Sequence, residues 1–148
     1  MSETIRDAIT AASSYLTEHP DEARYTDSTA TATLTGGLAV TVTGPDGATV
    51  STDMPASVGG TGTAPSPGWL MRAAQASCLA TLIGMRAAHE GILFGRVQVV
   101  VDSESDDRGI LGLDPDIPAG PLSCRARVSF EGSTANREEI EEMVRWAD

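Results

Sequence analysis

The chain has 148 residues, 41% of them hydrophobic, and a mean hydropathy of -0.09. These values fit a globular protein of single-domain size and exclude a disordered chain. Asp and Glu number 21 against 10 basic residues, all arginine, for a net charge of -11, so phosphate backbones and anionic headgroups are repelled, and neither nucleic acid nor a membrane is expected as a partner. The polar start, Met1 to Arg6, is followed by no apolar h-region, and none is expected to act as a signal peptide. Residues 73–85, the longest apolar stretch, are too few to span a bilayer. Two cysteines 46 positions apart, with no secretory signal, fit reduced thiols. The expected location is cytoplasmic.

The elements follow in chain order. Residues 1–20 predict an N-terminal helix, with Ile5, Ile9, Ala12 and Leu16 on one stripe, Ser2 as its cap and Pro20 at its end. Residues 25–53 predict a three-stranded antiparallel meander. Its runs are 25–34, 38–43 and 48–53, punctuated by Gly36-Gly37 and by Gly44-Pro45-Asp46-Gly47. Residues 54–66 form a loop dense in Gly, Pro, Ser and Thr, and a loop of that length in a compact protein is usually functional or disordered.

Ser66 and Pro67 then supply a cap and a first-turn proline for a central helix over residues 67–89, stopped by Gly91. Its middle turns are apolar or small nearly all round, which predicts burial on every side. One chain of this size cannot arrange that easily, so a second copy is expected over the remaining face. Residues 95–131 read as strands: Val97, Val99 and Val101 point inward on the first, and Leu122, Cys124, Ala126, Val128 and Phe130 on the second. A polar turn through Asp106 to Gly109 lies between them. Asn136 opens a last helix over residues 136–147, with Ile140, Met143, Val144 and Ala147 as its apolar stripe. The whole reads as one α+β domain, residues 1–148.

These segments resemble a known family. The run Val58-Gly59-Gly60-Thr61-Gly62-Thr63, leading through Ser66-Pro67-Gly68-Trp69, is similar to the glycine-rich loop of the OsmC/Ohr family (osmotically inducible protein C and organic hydroperoxide resistance protein). Ala76-Ser77-Cys78-Leu79-Ala80 resembles that family's cysteine-bearing helix, Ala88-His89-Glu90-Gly91 its exit, and Asp107-Arg108-Gly109 the turn after the next strand. The resemblance covers most of the chain from Thr29 to Ala147. It implies an intertwined homodimer with antiparallel sheets wrapped around a long buried central helix. It also implies thiol-dependent reduction of organic hydroperoxides, with Cys78 as the attacking residue and no cofactor.

The chain departs from the family pattern at three places. The family's resolving cysteine, in a Cys-Pro stretch after the last helix, has no counterpart up to Asp148, so an external thiol is the expected reductant. Ser57 and Val58 stand where the family carries a catalytic glutamate. Leu38 follows Gly36-Gly37 where the family carries an arginine.

Thiol chemistry runs through the thiolate, a minor species of free cysteine at neutral pH. Activation needs a cation or a helix N-terminus, and Cys78 sits about three turns inside its helix, where the end dipole has faded. Arg72 and Arg86 are not one turn away from it, so an activating arginine must come from another segment, with Arg24, Arg108, Arg125 and Arg127 as candidates. The bland reading of Cys78 is a small core residue. A non-catalytic protein that binds a small apolar ligand at a dimer interface is then the rival function.

Strand parity gives Cys124 a core role, and a disulfide with Cys78, which would need α-carbons within about 7 Å, is the less favoured reading. His19 and His89 are isolated, and no metal site is expected. Gly59-Gly60-Thr61-Gly62 lacks a phosphate-binding lysine, so its glycines are read as conformational. Glu138, Glu139, Glu141 and Glu142 suit a solvated helix face, and Trp69 is read as packing.

Overall fold

The computed structural model describes residues 2–148, with side chains from residue 4 onward; the side chain expected to cap the first helix, that of Ser2, is therefore outside what is described. The chain divides into two compact units, residues 19–71 and residues 1–18 with 72–148.

In the first unit, β1 (Thr31–Leu34), β2 (Val40–Thr43) and β3 (Thr49–Thr52) form an antiparallel sheet in the order β1-β2-β3. The β2–β3 hairpin pairs Thr43 with Thr49. Its turn is closed by Ala48 N–H donating to the Pro45 carbonyl at 3.0 Å and Gly44 N–H to the Ala48 carbonyl at 2.9 Å. Asp46 and Gly47 both hold positive φ, 53° and 76°. Asp tolerates that region better than most residues, and Gly adopts it without strain. The expected first strand is shortened to its last four residues: residues 25–30 carry strand-forming threonines but have no partner beyond the Thr31–Thr43 pair.

The second unit holds α1 (Ser2–Glu18), most of α2 (Pro67–Glu90), β4 (Arg96–Glu104), the one-turn α3 (Asp107–Ile110), β5 (Ser123–Glu131) and α4 (Arg137–Ala147). β4 and β5 pair antiparallel over nine residues, from Arg96–Glu131 to Glu104–Ser123. Leu79, Ile83 and Ala87 of α2 meet Met143 and Ala147 of α4, and this cluster packs on Val97, Val99, Val128 and Phe130 of the hairpin. Phe94 meets Phe130 edge to face at 6.1 Å. The apolar stripes of both helices thus share one face of a two-stranded sheet.

The helix termini follow their sequence signals. The Asn136 carboxamide oxygen accepts from the N–H of Glu138 at 2.9 Å and of Glu139 at 3.1 Å, and the Glu139 carboxylate accepts from Asn136 N–H at 2.8 Å. This reciprocal capping satisfies three otherwise unpaired donors and starts α4 one residue after Asn136. Between the strands, α3 is capped by Asp106, and Gly109 is buried against the carbonyls of Ile117 and Pro118, where a side chain would overlap backbone. Among the described residues, no helix is long and apolar enough to cross a membrane.

Burial of α2 is one-sided in the single chain. Leu79, Ile83, Ala87 and Ala88 are buried, while Ala74, Cys78 and Met85 are exposed. The all-round burial expected from the helix composition is therefore not supplied by this chain's own elements.

Candidate functional site

Cys78 lies in the middle of α2, about 140° around the helix axis from the buried Ile83. Ala74, Leu82 and Met85 fall on the same side, within about 80° of one another. They make a second apolar stripe, half-buried at Leu82 and otherwise exposed. Cys78 is a free, exposed thiol on that stripe. Among the described residues no hydrogen bond or ion pair engages its sulfur. The hydroxyls on either side of it fold back on the helix: Ser77 Oγ donates to the Ala74 carbonyl at 2.9 Å and Thr81 Oγ1 to the Ser77 carbonyl at 2.9 Å.

The candidate activating arginines are largely committed elsewhere. Arg125 and Arg127 both bind Asp102, at 3.2 and 2.6 Å. Their guanidinium groups, Arg127 first, hold the Asp102 carboxyl below its ordinary value. Arg108 binds Asp106 at 2.6 Å, and that contact lowers the Asp106 carboxyl in the same way. Arg24 belongs to the other compact unit. On α2 itself, Arg86 pairs with Glu90 at 2.6 Å and lies 5.4 Å from the Trp146 ring centre, and Arg72 donates to Ser103 Oγ at 3.0 Å.

Cys124 corrects the expectation of a core residue. It is exposed, and its Sγ donates to Gln75 Oε1 of α2 at 3.1 Å. Parity does place it on the sheet face that meets α2. The helices cover only the far end of that face, at Val128 and Phe130, and leave Leu122, Cys124 and Ala126 exposed. A cleft of about 210 Å³ opens there, lined by Gln75, Leu79, Cys124, Ala126 and Val128 with Arg145 and Asp148.

The glycine-rich loop is ordered by a residue that the sequence reading overlooked. Asp53, 2% exposed, follows β3 and collects five donors. Met54 N–H reaches Oδ1 at 2.8 Å. Thr61 donates to Oδ2 through its N–H at 3.1 Å and its hydroxyl at 2.5 Å, and Thr63 through its N–H at 3.2 Å and its hydroxyl at 3.1 Å. The Thr61 hydroxyl, followed by the Thr63 N–H, holds the carboxyl far below the usual carboxylate range. Gly62 N–H donates to the Met54 carbonyl at 3.0 Å, and a Cβ at Gly60 would overlap that carbonyl. The glycines therefore serve loop closure, as expected, around a fixed anion. Ser57 and Val58 stand in a single 3-10 turn of this loop. Trp69 is half exposed. His89 borders a shallow cavity beside Met85 and Trp146, and among the described residues no three metal-ligating side chains cluster.

A family of known sequence pattern, described as OsmC-like protein, matches residues 60–148. The chain belongs to this family. The stretch includes Cys78, Gln75, Cys124 and every element from α2 to α4. Solved OsmC-type structures share the fold. A Psychrobacter arcticus protein described as an osmotic stress induced and detoxification response protein is 21% identical, with a TM-score of 0.64 over 84% of this chain and 85% of its own. The Legionella pneumophila organic hydroperoxide resistance protein OsmC is 23% identical, with a TM-score of 0.59 over 84% and 83%. An organic hydroperoxide resistance protein of Elizabethkingia anophelis is 19% identical, with a TM-score of 0.60 over 84% and 83%. No curated protein sequence matches the chain. The mixed α/β architecture with antiparallel sheets is therefore that of OsmC-like structures.

Proposed function

We propose that this OsmC-family chain is a single-domain, homodimeric, thiol-dependent reductant of organic hydroperoxides, with Cys78 as its attacking residue. The observation that carries the reading is the free Cys78 thiol on a second apolar stripe of α2 that is exposed at Ala74, Cys78 and Met85. A stripe of Ala74, Leu82 and Met85 costs free energy in water. A second copy packed there would relieve that cost and would line the approach to the sulfur with apolar side chains. An alkyl hydroperoxide would be favoured over hydrogen peroxide in such surroundings.

In the reaction the Cys78 thiolate attacks one peroxide oxygen. A sulfur–oxygen bond forms, the O–O bond breaks, and the departing alkoxide takes a proton to leave as an alcohol. Cys78 becomes a sulfenic acid, oxidised by two electrons. A thiol reductant returns those electrons. Relatives named organic hydroperoxide resistance proteins support this reading.

A second reading is a non-catalytic OsmC-fold protein that binds a small apolar ligand at the dimer interface. One observation favours it: among the described residues no cation stands on Cys78, and Arg108, Arg125 and Arg127 are held by aspartates. Turnover separates the two. The peroxidase reading expects alkyl hydroperoxide to be consumed at the expense of an added dithiol, with Cys78→Ser inactive. Equal, background rates for both proteins would leave the binding reading.

A further inference from the structure

We propose that the shallow cavity between α1, the end of α2 and α4 binds a neutral aromatic molecule of one or two rings. Binding there needs nothing of the peroxide chemistry at Cys78. Met85, the nearest cavity residue on α2, lies seven positions beyond Cys78, about 10 Å along the helix. The space is a packing defect on one side of two helices. Toward the hairpin α2 and α4 close completely, with Ile83 and Met143 fully buried. Toward α1 they leave about 340 Å³ empty. The large apolar side chains around it are only partly covered: Ile9 is half-buried, Met85 is 42% exposed and Trp146 is 52% exposed. Side chains normally fill a junction of three helices. An unfilled, mostly apolar concavity with a few polar groups is the usual form of a small-molecule site.

The lining sets the class of ligand. Trp146 offers an indole and Met85 a thioether, and both interact more favourably with a ring than with an aliphatic chain. Charge is disfavoured by what stands beside them. Arg86 lies 5.4 Å from the Trp146 ring centre and pairs with Glu90 at 2.6 Å. An incoming carboxylate would have to compete with Glu90 for that cation, against a net charge of -11. An incoming cation would find the Trp146 ring already serving Arg86. A neutral ring with one hydrogen-bonding group meets neither obstacle. His89 and Ser13 line the same cavity and supply a ring nitrogen and a hydroxyl for that group.

α1 is the adjustable wall of the site. From residue 4 to residue 18 only Ile9 is not exposed, and the apolar stripe stands open at Ile5 and Leu16. Arg6 ties the helix to α2, its Nε donating to the Ala88 carbonyl at 2.9 Å. That bond satisfies a carbonyl at the end of α2 and sets a cation at the negative end of its dipole. Gly91 leaves the room for it, since a Cβ there would meet the guanidinium. A helix latched at one point and covered at one side chain opens and closes at low cost, so α1 settles onto a ligand and gains cover from it. α1 also lies outside the residues 60–148 that match the family, so this wall is no part of the family pattern.

Indole serves as the neutral probe, and indole-acetate as its charged counterpart. Calorimetric titration should show saturable binding of one indole per chain, with indole-acetate roughly tenfold weaker. Hydrogen exchange should slow in residues 5–16 and 85–90 when indole is added. Ile9→Trp, which fills the space, and Trp146→Ala, which removes a wall, should each weaken indole roughly tenfold, while Cys78→Ser binds it as the wild type does. Circular dichroism checks the fold of each variant, and if Trp146→Ala is unfolded, Ile9→Trp and the wild-type exchange pattern decide. Absence of saturable binding, binding undiminished in Ile9→Trp, loss of binding in Cys78→Ser, or indole-acetate held as tightly as indole would overturn the proposal. Protection of residues 5–16 and 85–90 that grows with protein concentration and not with indole would mean that a second copy fills the cavity, and would overturn it as well.

Discussion

Ile83 is the side chain on which the helix–hairpin core closes. It is completely buried, at 0% exposure, and shares its cluster with Leu79, Ala87, Met143 and Ala147. Shortening it to valine removes one methylene from a filled site and should cost about 0.5–1.5 kcal/mol; cutting it to alanine leaves a cavity and should cost about 2–5 kcal/mol. Ala87 and Ala147 have nothing to extend into the void, so any collapse must come from Leu79, Met143 and the side chains of the hairpin packed on the cluster.

For a chain of this length each kcal/mol corresponds to a melting shift of roughly 2–4 °C, so Ile83→Ala should melt roughly 4–20 °C lower. Urea unfolding followed by circular dichroism measures the loss directly, and repeating it at several protein concentrations separates a dimer contribution, because only a dimer gives a concentration-dependent midpoint. If Ile83→Ala lost less than about 1 kcal/mol, the packing of α2 and α4 on the β4–β5 hairpin would be refuted as the source of the core.

Three further outcomes are expected. Asp53→Asn should loosen residues 54–65, because an amide cannot accept from Met54 on one side and from Thr61 and Thr63 on the other without opposing two donors. Faster amide hydrogen exchange at Thr61 and Thr63 would report it. Asp53 holds its proton less readily in the folded protein than in the unfolded chain, so its stabilisation is complete above the ordinary carboxyl value of 3.8 and is lost as pH falls below it. The wild-type protein should weaken in that acid range more steeply than Asp53→Asn, as acid-unfolding curves would show. Gly60→Ala, whose Cβ would meet the Met54 carbonyl, should cost about 1–3 kcal/mol through overpacking, measured by denaturant unfolding. Asn136→Ala breaks the capping box of α4 and should cost about 1 kcal/mol, with no restoration by added salt.

The helices were the most legible part of the sequence because their signals are local. Asn136 and the stripe of Ile140, Met143, Val144 and Ala147 carry the whole description of α4 within twelve residues, and the structure moves its start by one position. Alternation in β5 likewise gave the correct face for Cys124. It could not say how far along the strand that face is covered. Cover is a long-range property, set by where α2 and α4 run, so Val128 is packed and Cys124 is not. The threonine-rich residues before Thr31 show the same limit, since strand propensity without a facing partner makes no ladder.

Asp53 was illegible for a related reason. Its donors lie eight and ten residues away in a loop with no periodicity, and only an acid at a strand end followed by closely spaced threonines hints at it. At Cys78 the family resemblance supplied the position. The exposed second stripe around it is a feature of the folded helix.

Mass spectrometry of the intact protein after stoichiometric alkyl hydroperoxide, with a sulfenic-acid trap present, addresses the central claim most directly. The account predicts one trapped adduct per chain, on the peptide bearing Cys78, and none on the Cys78→Ser protein. A wild-type chain that stays at its reduced mass while the hydroperoxide remains unconsumed would contradict it.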